Sequence, residues 1–275
     1  MKILYLSDLD GTLLRSDERL SDYTIKTINQ FVEKGGLFSY ATARSLVTSS
    51  IVTAGLNTEF PVACYNGAFV FNNKTKEILL SHYFTVEEKE MIISTLIKHK
   101  IHPIVYSFID DIERFSFVKS EINDGMQHFL NSRANDIRWR AVENLEELYQ
   151  GDVFYITCIG TDIQLASAYK ALKAKDKMYL VYHKDIYSGA QWCELMPKKA
   201  TKATAALELK KLLDCDRLVV FGDGLNDLPL FSVADESYAM ANAAPELKEI
   251  ATAVIDTNDN DGVAKWLEKK LNLLI

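Results

Sequence analysis

Two aspartates one residue apart, Asp8 and Asp10, follow directly on the apolar run Ile3 to Leu6, and Gly11-Thr12 comes straight after. On an extended chain, side chains at i and i+2 point the same way, so the two carboxylates can converge on one spot. Gly11 lets the backbone turn sharply there. Two carboxylates that close repel, and a hard divalent cation relieves the repulsion; Mg²⁺ suits oxygen ligands. Alone, such a pair is more often two solvated loop acids. A second apolar run, Arg217 to Phe221, also ends in acids, Gly222-Asp223-Gly224-Leu225-Asn226-Asp227. Asp223 can supply a third carboxylate at the same sheet edge, and Asp227 can either ligate a metal or orient a ligand. A third run ends at Tyr40-Ala41 and leads into Thr42-Ala43-Arg44 at a helix start, where a hydroxyl and unpaired backbone N–H groups make a ready anion site. Lys202, near the start of a later helix, adds a positive charge. Acids, a hydroxyl and a lysine at strand ends describe metal-assisted handling of a phosphoryl group.

The elements that must carry these residues alternate. Ile3 to Leu6 reads as a strand. Ser21 caps a helix with the apolar face Ile25, Ile28, Phe31 and Val32, which Gly35-Gly36 ends. Leu37 to Ala41 (strand), Arg44 to about Ala54 (helix) and Pro61 to Tyr65 (strand) complete a β-α-β-α-β pattern, the mark of a parallel sheet with helices on its faces. After Asn66-Gly67 a hairpin is expected, then a helix from Val86 with Thr85 and Glu88 spaced as a capping box. Strand-like stretches follow at Ile104 to Tyr106, Val153 to Ile159 and Met178 to Tyr182. The helix Asp162 to Lys173 should bury Ile163, Leu165, Ala166, Tyr169 and Leu172. The alternating rhythm resumes with a strand at Trp192 to Met196, a helix at Ala200 to Leu213 and the strand Arg217 to Phe221. The expected fold class is α/β: a Rossmann-like parallel-sheet core, residues 1–82 and 185–275, with a smaller α+β domain, residues 83–184, inserted in it.

Composition narrows the partners. With 31 Lys+Arg against 38 Asp+Glu the formal net charge is −7, and no dense basic stretch exists to neutralise a phosphate backbone or an anionic membrane surface. No nucleic acid and no membrane are therefore expected as partners. No apolar run reaches the roughly 18–20 residues of a membrane span. The opening MKILYLSDLD meets acids too early for a signal peptide, and the four cysteines contain no CxxC pair. The expectation is a cytoplasmic protein with reduced thiols.

Asp8-Leu9-Asp10-Gly11-Thr12, Thr42-Ala43-Arg44, Lys202 and Gly222-Asp223-Gly224-Leu225-Asn226-Asp227 together resemble the four ordered motifs of the haloacid dehalogenase-like hydrolases. Tyr65-Asn66-Gly67-Ala68, Ala239-Met240-Ala241-Asn242-Ala243 and Asn258-Asp259-Asn260-Asp261-Gly262-Val263 are similar to the Cof-type phosphatase subgroup. The resemblance implies a Mg²⁺-dependent phosphatase acting on a small phosphorylated metabolite, a sugar phosphate first among them. In such a site Asp8 is the nucleophile that becomes an aspartyl-phosphate, and Asp10 is the acid and base. Thr42 and Lys202 hold phosphoryl oxygens, with backbone N–H groups at Leu9 and Ala43 and the Asn226 amide. The metal sits on Asp8, the Asp10 carbonyl and Asp223, with Asp227 as ligand or support. The long stretch between Thr42 and Lys202 has the place and size of the family's type 2B cap, which excludes water and reads the leaving group. Ala43, Ala203 and Ala241 stand where relatives usually carry Gly. The alternatives are a sugar phosphomutase and a non-catalytic phospho-acceptor or metabolite-binding module.

Other signals read as ordinary structure. Thr257 to Glu268 nearly spells a calcium loop but reads as an acidic turn before a helix. His99 and His102 lack a companion ligand, and Lys198-Lys199 reads as a solvated helix start. Within the insert, Tyr106, Arg114, Arg133, Arg138, Trp139, Arg140, Tyr182, His183 and Tyr187 have the chemistry to contact a substrate, though packing is the ordinary role for each.

Overall fold

The computed structural model describes residues 1–184 and 189–271. They form two compact units, one of residues 1–81 with the chain from Ala200 onward, the other of residues 82–199. In chain order the first unit contains β1 (Ile3–Ser7), a wide turn at Leu9–Leu13, α1 (Asp22–Glu33), β2 (Leu37–Tyr40), α2 (Leu46–Val52), β3 (Pro61–Cys64), β4 (Phe69–Asn72) and β5 (Ile78–Ser81). The second unit follows with α3 (Val86–Lys98), β6 (Ile104–Ile109), β7 (Ile112–Val118), α4 (Asp124–Asn131), β8 (Trp139–Val142), α5 (Leu145–Leu148), β9 (Asp152–Gly160), α6 (Asp162–Lys173), β10 (Met178–Lys184) and β11 (Gln191–Pro197). The first unit resumes at α7 (Lys202–Leu212), β12 (Arg217–Gly222), α8 (Leu228–Val233), β13 (Glu236–Met240), α9 (Pro245–Ile250), β14 (Ala253–Ile255) and α10 (Gly262–Leu271).

The first unit is built on a parallel sheet in the order β14-β13-β12-β1-β2. Strands β12 and β1 carry Leu4, Leu6, Val220 and Phe221 fully buried, as parallel strands covered on both faces require. Helices α1 and α10 pack together on the sheet, where Trp266 meets Tyr5, Phe221 and Tyr238 with ring centroids 4.6 to 5.8 Å apart. Register then places the site: Ser7 lies opposite Phe221 on one side and Tyr40 on the other, so β12, β1 and β2 end side by side. Asp8 N–H donates to the Phe221 carbonyl at 3.0 Å, and Ala41 N–H to the Ser7 carbonyl at 2.9 Å, which continues both ladders into the loops.

The second unit has a six-stranded sheet in the order β10-β11-β9-β6-β7-β8, antiparallel except for the β7–β8 pair. Ile92 and Leu96 of α3 and Leu165 and Leu172 of α6 pack on Val105, Val153, Ile156 and Leu195 to form its core. Two expectations are corrected here. The strand at Trp192 to Met196 does not return the chain to the parallel core at 185; β11 pairs antiparallel with both β9 and β10, and the unit runs to Lys199. A short apolar run shows that a strand exists, not which sheet it joins. Residue 185 and Tyr187 lie outside the described residues. Ile163 is 91% exposed and Ala166 only half-buried; α6 buries Leu165 and Leu172 as expected, with Ala168 between them and Tyr169 partly buried against the same core. Among the described residues no helix is long and apolar enough to cross a membrane.

Candidate active site

Asp8 leaves β1 with extended backbone, and its carboxylate Oδ1 accepts the Leu9 N–H at 2.7 Å. The same oxygen takes the Lys202 Nζ at 2.7 Å. Lys202 opens α7, whose first turn is capped by the Thr201 hydroxyl accepting the Thr204 N–H at 3.0 Å. The ammonium also meets Asp227 Oδ1 at 2.8 Å, and the three side chains are 3%, 7% and 0% exposed for Lys202, Asp8 and Asp227. Asp227 Oδ2 accepts the N–H groups of Asp223 and Gly224, each at 3.1 Å, so its carboxylate is fully engaged. Asp223 in turn accepts the Thr12 hydroxyl at 2.8 Å on Oδ1.

Asp8, Asp223 and Asp227 present carboxylate oxygens within 4.8 Å of one another, the one group of metal-ligating type found among the described residues. All donors are oxygens, which fits a hard cation. With Asp227 occupied on both oxygens, Asp8 and Asp223 are the carboxylates that could take an ion. Burial pushes the Asp8 carboxyl well above its usual range; Lys202 opposes that rise, while Asp227 and Asp223 add to it. Asp223 is pushed up to about 6, chiefly by burial. Burial alone would lower the Lys202 ammonium, but Asp227 and Asp8 outweigh it and hold the group above its ordinary value. Lys202 offsets part of the repulsion among the three acids, and a bound cation would offset more.

Each sequence-derived site residue has a place. Asp8, Lys202, Asp223 and Asp227 come together as one cluster, buried except for the half-buried Asp223. Thr42 is buried past the end of β2; its hydroxyl accepts the Arg44 N–H at 3.0 Å, its own N–H donates to Ala63 O and its carbonyl accepts the Asn66 N–H. Ala43 and Asn226 are exposed beside their loops. Leu9 N–H is given to Asp8 in this arrangement. The Asp10 side chain is 48% exposed and is held by Arg44. None of Ala43, Ala203 and Ala241 takes a positive φ, so the methyl costs no backbone strain at any of them.

Several further residues shape the site; Gly11 was expected to turn the backbone, and the others carried no assigned role in the sequence. Gly11, at φ +74°, lies so close to Asp223 that a Cβ would overlap its carboxylate. Gly67, at φ +93°, follows Tyr65 and Asn66, both also left-handed, and a Cβ there would overlap the Thr201 carbonyl oxygen. That close approach seats the start of α7 and thereby Lys202. Asn242 Nδ2 donates to the Gly11 carbonyl at 2.8 Å, Asn242 Oδ1 accepts the Asn258 N–H at 3.1 Å, and Ala244 N–H donates to the Asp223 carbonyl at 2.9 Å, so the loop after β13 ties the two acid loops together. Arg44 and Asn242 stood inside quoted motifs, whereas Glu18, which pairs with Arg44 at 2.7 Å, had no local signal.

The set-aside signals have structural partners. Asp261 binds Arg15, Ser21 and Thr24, and Asp259 binds Ser16, so the acids of the final loop hold the start of α1. His102 pairs with Glu121, His99 with Ser167 and Lys198 with Asp176. In the insert, Arg138 is buried between Asp136 and Glu113, Arg114 donates to the Ile137 carbonyl and Tyr182 to Asp162.

Fold and site define an α/β protein with a buried acid–lysine cluster at the carboxyl ends of parallel strands, where such sheets bind ligands. A family model described as haloacid dehalogenase-like hydrolase matches residues 5–267. The chain belongs to that family, and it is a phosphatase by class. The 5-amino-6-(5-phospho-D-ribitylamino)uracil phosphatase YitU of Bacillus subtilis is 26% identical, covering 97% of this chain and 96% of its own. TM0651 from Thermotoga maritima has a crystal structure that superposes with a TM-score of 0.80 at 27% identity, over 98% of this chain and 97% of that one. The HAD subclass IIB sugar phosphatase BT4131 shares the fold with a TM-score of 0.74 at 20% identity over the full length of both chains.

Proposed function

We propose that this protein hydrolyses the phosphate ester of a small metabolite, a sugar phosphate first, with Mg²⁺ at the acid cluster and an aspartyl-phosphate formed on Asp8. The observation that carries the reading is the burial of Lys202 between Asp8 and Asp227 beside Asp223. An ammonium and a carboxylate kept ready at strand ends, with a metal-ligating acid next to them, serve a phosphoryl group better than a structural ion pair. Buried pairs of that kind contribute little net stability.

Two hydrogen bonds hold Asp8 by Oδ1, which leaves Oδ2 to attack phosphorus while the ester P–O bond breaks. Asp10, protonated on an oxygen released from Arg44, gives that proton to the departing oxygen, then takes one from the water that attacks the phosphorus of the aspartyl-phosphate, and the Asp8 carboxylate is regenerated with release of phosphate. Thr42, Lys202, the Ala43 N–H and the Asn226 amide hold the phosphoryl oxygens; Leu9 N–H joins them by exchanging its bond to Asp8. Asp8, Asp223 and the Asp10 carbonyl would hold Mg²⁺, with Asp227 in support, and the bound ion would neutralise charge on the transferring group.

The sugar-phosphate class is supported by the name of BT4131 and by the phosphorylated ribityl chain in the name of YitU. Residues 82–199 are the type 2B cap on this reading, supported by their place in the chain between Thr42 and Lys202 and by a core of their own. Four unbridged cysteines support a cytoplasmic setting. Phosphate release from a panel of sugar phosphates, nucleotides, pyridoxal phosphate and flavin mononucleotide tests the reading. Release with Mg²⁺ should vanish in EDTA, and Asp8→Asn should lower it by about three orders of magnitude or more. Activity that survives Asp8→Asn would end the aspartyl-phosphate mechanism.

A further inference from the structure

We infer that Arg44 is the positioning residue for Asp10 and that Glu18 anchors Arg44 in that task; this rests on the reading of Asp10 as acid and base. Arg44 donates from Nε to Asp10 Oδ2 at 2.9 Å and from Nη2 to Oδ1, a two-toothed grip on both carboxylate oxygens. The same Nη2 reaches Glu18 at 2.7 Å. Among the described residues no other group bonds the Asp10 carboxylate, which stands 48% exposed next to Gly11. Without the grip, a short side chain on a loop beside a glycine samples several rotamers, and misplacement of about 1 Å costs on the order of a hundredfold in rate.

Arg44 is itself fixed at both ends. Its N–H donates to the Thr42 hydroxyl at 3.0 Å and its carbonyl accepts the Tyr65 N–H at 3.0 Å. Glu18 sits in a tight turn, where its N–H donates to the Arg15 carbonyl at 2.9 Å, and Arg15 is bound by Asp261. One side chain therefore links the proton-transferring acid to the loop that carries the phosphate-binding hydroxyl. A guanidinium fork matches a carboxylate in a way that an ammonium does not, so lysine is a poor substitute. Exposed pairs of this kind add little to stability, and variants at Arg44 should stay folded.

The test compares kcat/KM for p-nitrophenyl phosphate and phenyl phosphate, two esters of similar shape that differ in how much their leaving oxygen needs a proton. The variants are Arg44→Lys, Arg44→Met, Glu18→Gln, Asp10→Asn and the Asp10→Asn/Arg44→Met double variant, each checked for an unchanged melting temperature. Arg44→Met should lose about tenfold or more on phenyl phosphate and less than about threefold on the nitrophenyl ester. Arg44→Lys should rescue little, Glu18→Gln should shift the same way by less, and the double variant should match Asp10→Asn alone. Equal losses on the two esters, or a further loss in the double variant, would overturn the role of Arg44. If Asp10→Asn itself does not discriminate between the esters, the acid role and this inference fall together; discrimination by Asp10→Asn without it in Arg44→Met overturns the inference alone.

Discussion

At Asp223, burial raises the proton affinity of a single carboxyl. Its carboxyl is pushed up to about 6 from 3.8, chiefly by burial, with Asp227 adding to the rise and the Thr12 hydroxyl opposing it. The folded protein therefore keeps this proton at pH values where the unfolded chain has lost it. In the absence of metal, that proton makes stability fall as pH rises from about 4 to about 6, by up to about 3 kcal/mol from this group. Urea unfolding in EDTA across that window should show the slope, and Asp223→Asn should flatten it. A slope of the opposite sign would mean that Asp223 ionises easily in the fold. Asp8, raised in the same direction, adds to the trend, so the comparison between parent and Asp223→Asn isolates one carboxyl.

At the scale of elements, the position of Lys202 depends on a turn far from it in sequence. Tyr65, Asn66 and Gly67 run left-handed one after another, which lets the backbone touch the Thr201 carbonyl and set the first turn of α7. Gly67→Ala introduces both a methyl at φ +93° and a clash with that carbonyl. The expected cost is about 1–3 kcal/mol in urea unfolding, together with a fall in phosphate release as Lys202 shifts away from Asp8. A variant with parent stability and parent activity would show that α7 is seated by its apolar face alone, through Ala205, Ala206 and Leu209. The loop after β13 works in a similar way, since Asn242 and Ala244 hold the Gly11 and Asp223 carbonyls from one short segment.

For the whole molecule, two hydrophobic cores share one chain. The second unit closes its own six-stranded sheet and packs α3 and α6 on it, with all its strand pairings internal to residues 82–199. A segment with a complete core should fold without the rest. Residues 82–199 expressed alone are expected to unfold cooperatively in urea with β-rich far-ultraviolet dichroism. Aggregation or a non-cooperative transition would show that this core is completed only by the intact chain.

The alternation of strands and helices, the acids at strand ends and the membership of a hydrolase family were legible in the residues, because parallel strands buried on both faces are apolar runs and catalytic loops need Gly, Asp and Thr at fixed spacing. Ser21 and Thr85 cap their helices in the structure by local hydrogen bonds, and local chemistry of that kind can be read from short windows. What sequence left undecided was pairing. The apolar run at Trp192 to Met196 fits either sheet, and only the register Cys193 to Cys158 and Tyr182 to Cys193 assigns it to the second unit. Lys202 lay in its motif without a partner, and Glu18 had no motif at all. Their roles arise where chain segments far apart in sequence meet: the α7 start against Asp8 and Asp227, and the turn at Glu18 against Arg44. Local propensity acts over a few residues, whereas a buried charge finds its partner only when the whole sheet has set its register.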